Sequence, residues 1–295
     1  LFIGEFIMVE PVIVTDVRCR IGENPSWHTR EKKLYWLDIP IGTIYRYDPA
    51  SSMVEKVVES NEVIGGFTLQ EDDSLLLFME RGAIKIWRNN SFLSIMEEIP
   101  ILNKTRFNDV IVDPMGRVFC GTMPDENGVA YLFLLETNGD IKLILDNVGL
   151  SNGMGFTPDK KKIYFTDSKK GEIRLFDYNK KNGSLSKERI FLKIKEPNIE
   201  PDGLTVDSEG YIWSAQWNGA CIKRYTPQGE EVMKIDLPTK KITSLTFAGE
   251  SFQEVYVTSA IGEENIPGTE DEAGALFYFK SDIAGIPENR SKVLI

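Results

Sequence analysis

Glu23, Asn108, Asn152, Asp202 and Ser244 each stand ten or eleven residues ahead of a short apolar run, and Gly66 stands nine ahead of another. Two carboxylates, two amides, a hydroxyl and a glycine recurring at one phase form an oxygen-rich set. Such donors suit a hard cation, Ca²⁺ or Mg²⁺, and sometimes Mn²⁺ or Zn²⁺. Taken singly, Asn152-Gly153 and Asp202-Gly203 are ordinary turn-forming dipeptides. Their coincidence at one phase is what points to a shared site. No EF-hand loop pattern is present, so a cation site has to be assembled from distant segments.

A second cluster is Thr105-Arg106-Phe107-Asn108-Asp109. By residue type, Arg106 reads either as a solvated loop arginine or as a hydrogen-bonding fork for a polyhydroxy or carboxylate ligand. The chain has one histidine, His28. A His-rich zinc site is therefore impossible, and a Ser-His-Asp triad needs that residue. Lying between Trp27 and the polar stretch from Arg30 to Lys33, His28 reads as an exposed turn residue.

The elements that position these residues are short and β-rich. Lys33 to Asp38 is followed by an alternating run from Gly42 to Asp48, and the same strand–turn–strand unit recurs from Lys162 to Asp177 and from Tyr211 to Tyr225. Three weaker copies begin near Ser74, Arg117 and Glu254. The anchors Leu34, Leu75, Val118, Ile163, Ile212 and Val255 are 41 to 49 residues apart. That period, with β-branched and aromatic runs, is the signature of four-stranded propeller blades. Six anchors predict an all-β, six-bladed β-propeller occupying residues 1–295 as a single domain. The run 12–17 precedes the first anchor and has no blade of its own, so it is expected to pair into the last blade and close the ring. Equivalent residues of successive blades then converge on one end of a central channel.

Composition narrows the partners. Among 295 residues, 34 Lys and Arg against 45 Asp and Glu give a formal net charge of -11, which disfavours a phosphate backbone as ligand. No apolar run reaches the ~18 residues that would read as a membrane span. Cys19, Cys120 and Cys221 are odd in number and lack C-x-x-C spacing, so they read as buried thiols of a reducing compartment. Residues 1–7 are apolar but carry Glu5 and no basic segment, a poor signal peptide. A cytoplasmic location is the expectation.

Six stretches resemble one family: GENPSW (22–27), LYWLDI (34–39), RFNDVIVDPMGRVFCGTM (106–123), LSNGMGFTPDKKKIYFTDS (150–168), PDGLTVDSEGYIWSA (201–215) and TSLTFAGESFQEVYVTSA (243–260). They are similar to the senescence marker protein, regucalcin and gluconolactonase family of six-bladed propellers, and the similarity runs from about residue 11 to about residue 280. The resemblance implies that Glu23, Asn152 and Asp202 bind one divalent metal, with Ca²⁺ favoured and Zn²⁺, Mn²⁺ or Mg²⁺ as alternatives. It implies substrate contacts from Arg106 and Asn108. Glu126 matches a pocket glutamate by spacing, but the loop 124–128 is shorter than in the animal members, and Asp125 can take its place. Asn24 replaces the small residue usual after the motif glutamate, which reads as tolerated.

The expected activity is hydrolysis of a small sugar lactone to the aldonic acid, with Asp202 as general base and Glu23 as its alternative. Three other functions fit such a propeller: a metal-dependent phosphotriesterase, a non-catalytic calcium-binding regulatory protein, and a protein-binding scaffold. Neither nucleic acid nor membrane is an expected partner.

Overall fold

The computed structural model describes residues 10–261 and 272–295; the apolar stretch 1–7 lies outside them. Six four-stranded antiparallel sheets form the blades. Their innermost strands, in chain order, are Gly22–His28, Ile64–Leu69, Phe107–Val112, Ser151–Phe156, Glu200–Val206 and Ile242–Ala248. We number the blades 1 to 6 in that order. Each innermost strand contacts its two neighbours, and the strand of blade 6 contacts that of blade 1, so the ring is closed.

The repeat anchors occupy the second strand of every blade, and each is at most 3% exposed. They sit where two sheets face each other. Six apolar clusters fill the six interfaces: Leu37 and Ile64 between blades 1 and 2, for example, and Phe119 and Ile163 between blades 3 and 4. Burial therefore falls outward through each blade. Every residue of Ile64–Leu69 is buried, whereas the outermost strand of that blade, Ser91–Met96, is largely exposed.

Closure is as expected but shorter than the apolar run. Only Val12–Ile13 forms a strand, with Val12 opposite Tyr278 and Ile13 opposite Phe277 in the sheet of blade 6. This covers an edge that otherwise presents unpaired backbone groups.

His28 corrects the sequence reading. It ends the innermost strand of blade 1 and is 1% exposed. Its Nε2 lies 3.2 Å from Asp73 Oδ1, its Nδ1 accepts from the Glu31 amide at 3.1 Å, and the Arg290 guanidinium touches the ring. Polar flanking residues mimic a turn here, but tertiary packing of the C-terminal segment covers the ring. Burial first, then the charge of Arg290, lowers its pKa. The three cysteines are free, buried thiols, as their spacing suggested.

The C-terminal segment crosses one end of the channel. Glu288 accepts from Thr246 Oγ1 at 3.0 Å, Asn289 donates to Val112 O at 2.9 Å, and the Ser291 amide donates to Leu69 O at 3.0 Å. These partners lie in blades 6, 3 and 2, near the C-terminal ends of the innermost strands. Of the residues at the shared phase, Glu23, Asn108, Asn152 and Asp202 lie near the N-terminal ends and line a separate cavity, whereas Ser244 lines the space beside the C-terminal segment.

Candidate functional site

All six innermost strands share one irregularity. Register with the second strand slips between Glu23 and Ser26, Ile64 and Gly66, Phe107 and Val110, Ser151 and Met154, Pro201 and Leu204, and Ile242 and Ser244. A bulge re-aims side chains and bends the strand. Here it recurs at the phase the sequence singled out, which is how residues inside a strand come to face the channel.

The glycines beside the site residues have a related cause. Gly153 and Gly203 lie within strands rather than in turns. A Cβ on Gly153 would stand 2.2 Å from Leu204 N and 2.6 Å from Asp202 O; on Gly203 it would meet Ser244 Oγ at 2.4 Å. Glycine lets neighbouring innermost strands approach closely where the donors converge.

Glu23, Asn152, Asp202, Arg106 and Asn108 all line one cavity of about 510 Å³. The side chains are held by a network that crosses blades. Ser168 Oγ donates to Pro201 O at 2.6 Å, so toward Asn152 it can only accept, and Asn152 Nδ2 donates to it at 3.0 Å. That fixes the amide: Asn152 Oδ1 is turned away from Ser168, toward Asn108 Nδ2 at 3.3 Å. Asn108 Nδ2 also donates to Ser151 O at 2.9 Å, and its Oδ1 accepts from Arg106 Nη1 at 2.7 Å. Glu23 Oε2 accepts from the amide of Asn24 at 2.9 Å. Asn24 adopts φ 52°, and its Oδ1 accepts from the amide of Phe67 at 2.6 Å, bracing blade 1 against blade 2. An asparagine tolerates that left-handed backbone better than most residues.

The electrostatics are those of carboxylates short of positive charge. Burial, and then the negative charge of Asp109, pushes the pKa of Glu23 up to about 8, against partial relief from the Asn24 amide and Arg106. Burial likewise raises Asp202 well above the usual carboxylate range, with Glu23, Asp109 and Glu200 adding to it. Asp109 is itself pushed up to about 7 by burial and by Glu288. Asp202 Oδ1 is buried without a hydrogen-bond partner. Among the described residues, no group of three or more His, Cys, Asp or Glu side chains is placed to hold a metal ion. The set here is instead two carboxylates and an oriented amide oxygen. An orphaned carboxylate oxygen, a turned amide oxygen and unneutralised charge are what a bound divalent cation satisfies, so the residues present fit one.

Glu126 and Asp125 are placed elsewhere. Glu126 is 60% exposed and its Oε2 pairs with Lys104 Nζ at 2.6 Å. Asp125 Oδ1 accepts from the amides of Asn127 and Val129 at 2.8 and 3.0 Å, holding its own loop. Neither lines the cavity. Ser168, Trp217 and Lys241, which the sequence did not single out, also line it. Ser168 lies outside the strand that carries the shared phase, in the short helix Ser168–Lys170, so no repeat arithmetic finds it.

The model of the SMP-30/Gluconolactonase/LRE-like region matches residues 21–261, and the chain belongs to that family. It is 43% identical over 287 residues to the pentonolactonase XacC of Haloferax volcanii, covering 95% of this chain and 97% of that one. It is 31% identical to human regucalcin over 269 residues, 88% of this chain and 90% of the relative. Among solved structures, a luciferin-regenerating enzyme superposes with a TM-score of 0.88 at 24% identity, over 97% of this chain and 100% of the other. A regucalcin from Agrobacterium tumefaciens gives 0.89 at 20% identity, over 96% and 97%. These two establish the likeness of fold.

Proposed function

We propose that the protein hydrolyses a small sugar lactone to its open-chain acid with the help of one divalent cation. The observation that carries this reading is the gathering of Glu23, Asn152 and Asp202 with Arg106 and Asn108 around one cavity. The 43% identity to a relative named a pentonolactonase supports the substrate class.

Glu23, Asn152 and Asp202 would hold the cation, and their all-oxygen donor set suits Ca²⁺, Mg²⁺ or Mn²⁺ better than Zn²⁺, with Ca²⁺ the ion we favour. When bound, such a cation would supply Lewis-acid polarisation of the lactone carbonyl. Asp202 accepts the proton of the attacking water, a role open to a carboxylate in the cavity wall that has a second oxygen beside the one on the cation. Arg106 orients the ring oxygens and hydroxyls of the substrate. Asn108, clasped by Arg106 on one side, acts on Asn152 and keeps its carbonyl oxygen turned into the site.

The test is proton release from glucono-1,5-lactone and xylono-1,4-lactone by metal-stripped protein, with Ca²⁺, Mg²⁺, Mn²⁺ or Zn²⁺ added back. Turnover that disappears on stripping and returns with one cation supports the reading and identifies the ion. Tight cation binding with no turnover of any lactone would replace it with a calcium-binding role.

A further inference from the structure

The residue immediately before each innermost strand is, in blade order, Ile21, Val63, Arg106, Leu150, Ile199 and Lys241. Arg106 and Lys241 are equivalent by register, because the residues after them, Phe107 and Ile242, pair with Thr122 and Ser259 at the same place in the second strand. In blade 5 the residue at that register is Glu200, which pairs with Lys169. Of the six residues before the strands, four are apolar and two are basic. The basic pair belongs to blades 3 and 6, which are three blades apart and so face each other across the channel. Both Arg106 and Lys241 line the site cavity. The mouth is therefore flanked by a guanidinium on one side and an ammonium on the other.

Lys241 is held in place by an uncharged acceptor and an aromatic ring. Its Nζ donates to Ile261 O at 3.3 Å and lies 5.5 Å from the centroid of the Trp217 ring. Among the described residues it has no carboxylate within ion-pair distance. Lys169, the other lysine of the cavity wall, differs in that its Nζ pairs with Glu200 Oε1 at 3.0 Å. An ammonium has three N–H groups, and one carbonyl leaves donors for a ligand. Trp217, at the end of strand Ile212–Trp217, adds a half-buried aromatic surface to the same wall.

An apolar aromatic face beside a fixed donor is complementary to one chemical class. A sugar ring offers C–H groups on one face and hydroxyls at its rim, so it can lie on the indole while its hydroxyls accept from the ammonium. We propose that Trp217 and Lys241 form the polyol-recognising wall of the site, opposite Arg106, and make the protein select hydroxylated lactones over plain alkyl lactones. This rests on the lactonase reading. A site built to hydrogen-bond hydroxyls rejects an analogue that lacks them, because its donors are then left unpaired.

The test compares wild type, Lys241→Met, Lys241→Arg and Trp217→Leu, all loaded with Ca²⁺, on xylono-1,4-lactone and on γ-butyrolactone, the same ring without hydroxyls. Lys241→Met is expected to lower kcat/KM for xylono-1,4-lactone about tenfold or more relative to that for γ-butyrolactone, with the difference carried by KM. Lys241→Arg restores part of the loss, and Trp217→Leu acts in the same direction. Equal loss on both substrates, or none on either, overturns the inference. If wild type turns over no lactone, the lactonase reading itself fails, and calorimetric titration with xylonate decides the present point. Binding about tenfold weaker in Lys241→Met upholds the wall, since that is the loss of one charge-assisted hydrogen bond, and equal binding refutes it.

Discussion

Asn152 Nδ2 donates to Ser168 Oγ at 3.0 Å, and Ser168 Oγ in turn donates to Pro201 O at 2.6 Å. One hydroxyl thus orients the amide of blade 4 and ties it to the strand of blade 5 that carries Asp202. Ser168→Ala leaves the fold intact but frees the amide to rotate. Losing a hydrogen bond that orients a metal-holding side chain costs ~10–100-fold in metal affinity, and a lost buried hydrogen bond about 1 kcal/mol of stability. Calcium titration calorimetry and urea unfolding measure the two effects separately. Unchanged calcium affinity would show that Ser168 does not set the amide.

Gly153→Ala is a test of strand spacing. The added methyl has Leu204 N at 2.2 Å and Asp202 O at 2.6 Å, both backbone atoms that cannot swing aside. The strand bearing Asp202 must move, at a cost of about 1–3 kcal/mol or more. Thermal unfolding should show that loss, and calcium affinity should fall with it. Wild-type stability would mean that the two strands slide apart freely.

The pH dependence of the cation-free protein has a definite sign. Glu23 and Asp109 titrate near 8 and 7 in the folded state, against ordinary values of 4.5 and 3.8. Between the ordinary and the raised values the folded state binds more protons than the unfolded one, so stability falls as pH rises through that window. The stability these groups lend is complete below pH 4 and gone above pH 8. Cation binding reverses the demand, because the ligand carboxylates must ionise. Melting of chelator-treated protein should occur at lower temperature at pH 8 than at pH 5.5, and calcium should raise it most at pH 8. Glu23→Gln should shrink the cation-free dependence without abolishing it, since Asp109 is still raised by burial, and a flat wild-type profile would contradict the assignment.

Asp202→Asn would keep an oxygen for the proposed cation and remove the proposed proton acceptor. At saturating calcium its kcat should drop by ~10²–10⁴-fold, the usual contribution of a general base. Full turnover by the metal-loaded variant would take Asp202 out of that role and leave Glu23 as the base.

Glu126→Gln serves as a control. Its carboxylate pairs with Lys104 on the surface, so the change should leave KM for the lactone within about twofold, as exposed ion pairs contribute little. A large rise in KM would mean that the loop 124–128 closes over the substrate during turnover.

The sequence by itself determined the architecture. Anchors such as Leu34 and Ile163 recur because each blade must bury the same face of its second strand against its neighbour, so the period survives as a pattern of apolar residues. It also determined that Glu23, Asn108, Asn152 and Asp202 share one face, since residues at one phase of a closed ring converge on its axis. Only the tertiary structure decided the orientation of Asn152, which depends on Ser168 and Pro201, and the burial of His28, which depends on Arg290 at the far end of the chain. It placed Glu126 on the surface, where the family resemblance had implied a pocket contact from Glu126 or Asp125. It also brought Lys241 to the cavity wall against Trp217. The physical reason is common to these cases. Periodic burial is a local property repeated along the chain. A hydrogen-bond partner, a charge neighbour or a cavity wall is supplied by whichever distant segment the closed ring brings alongside.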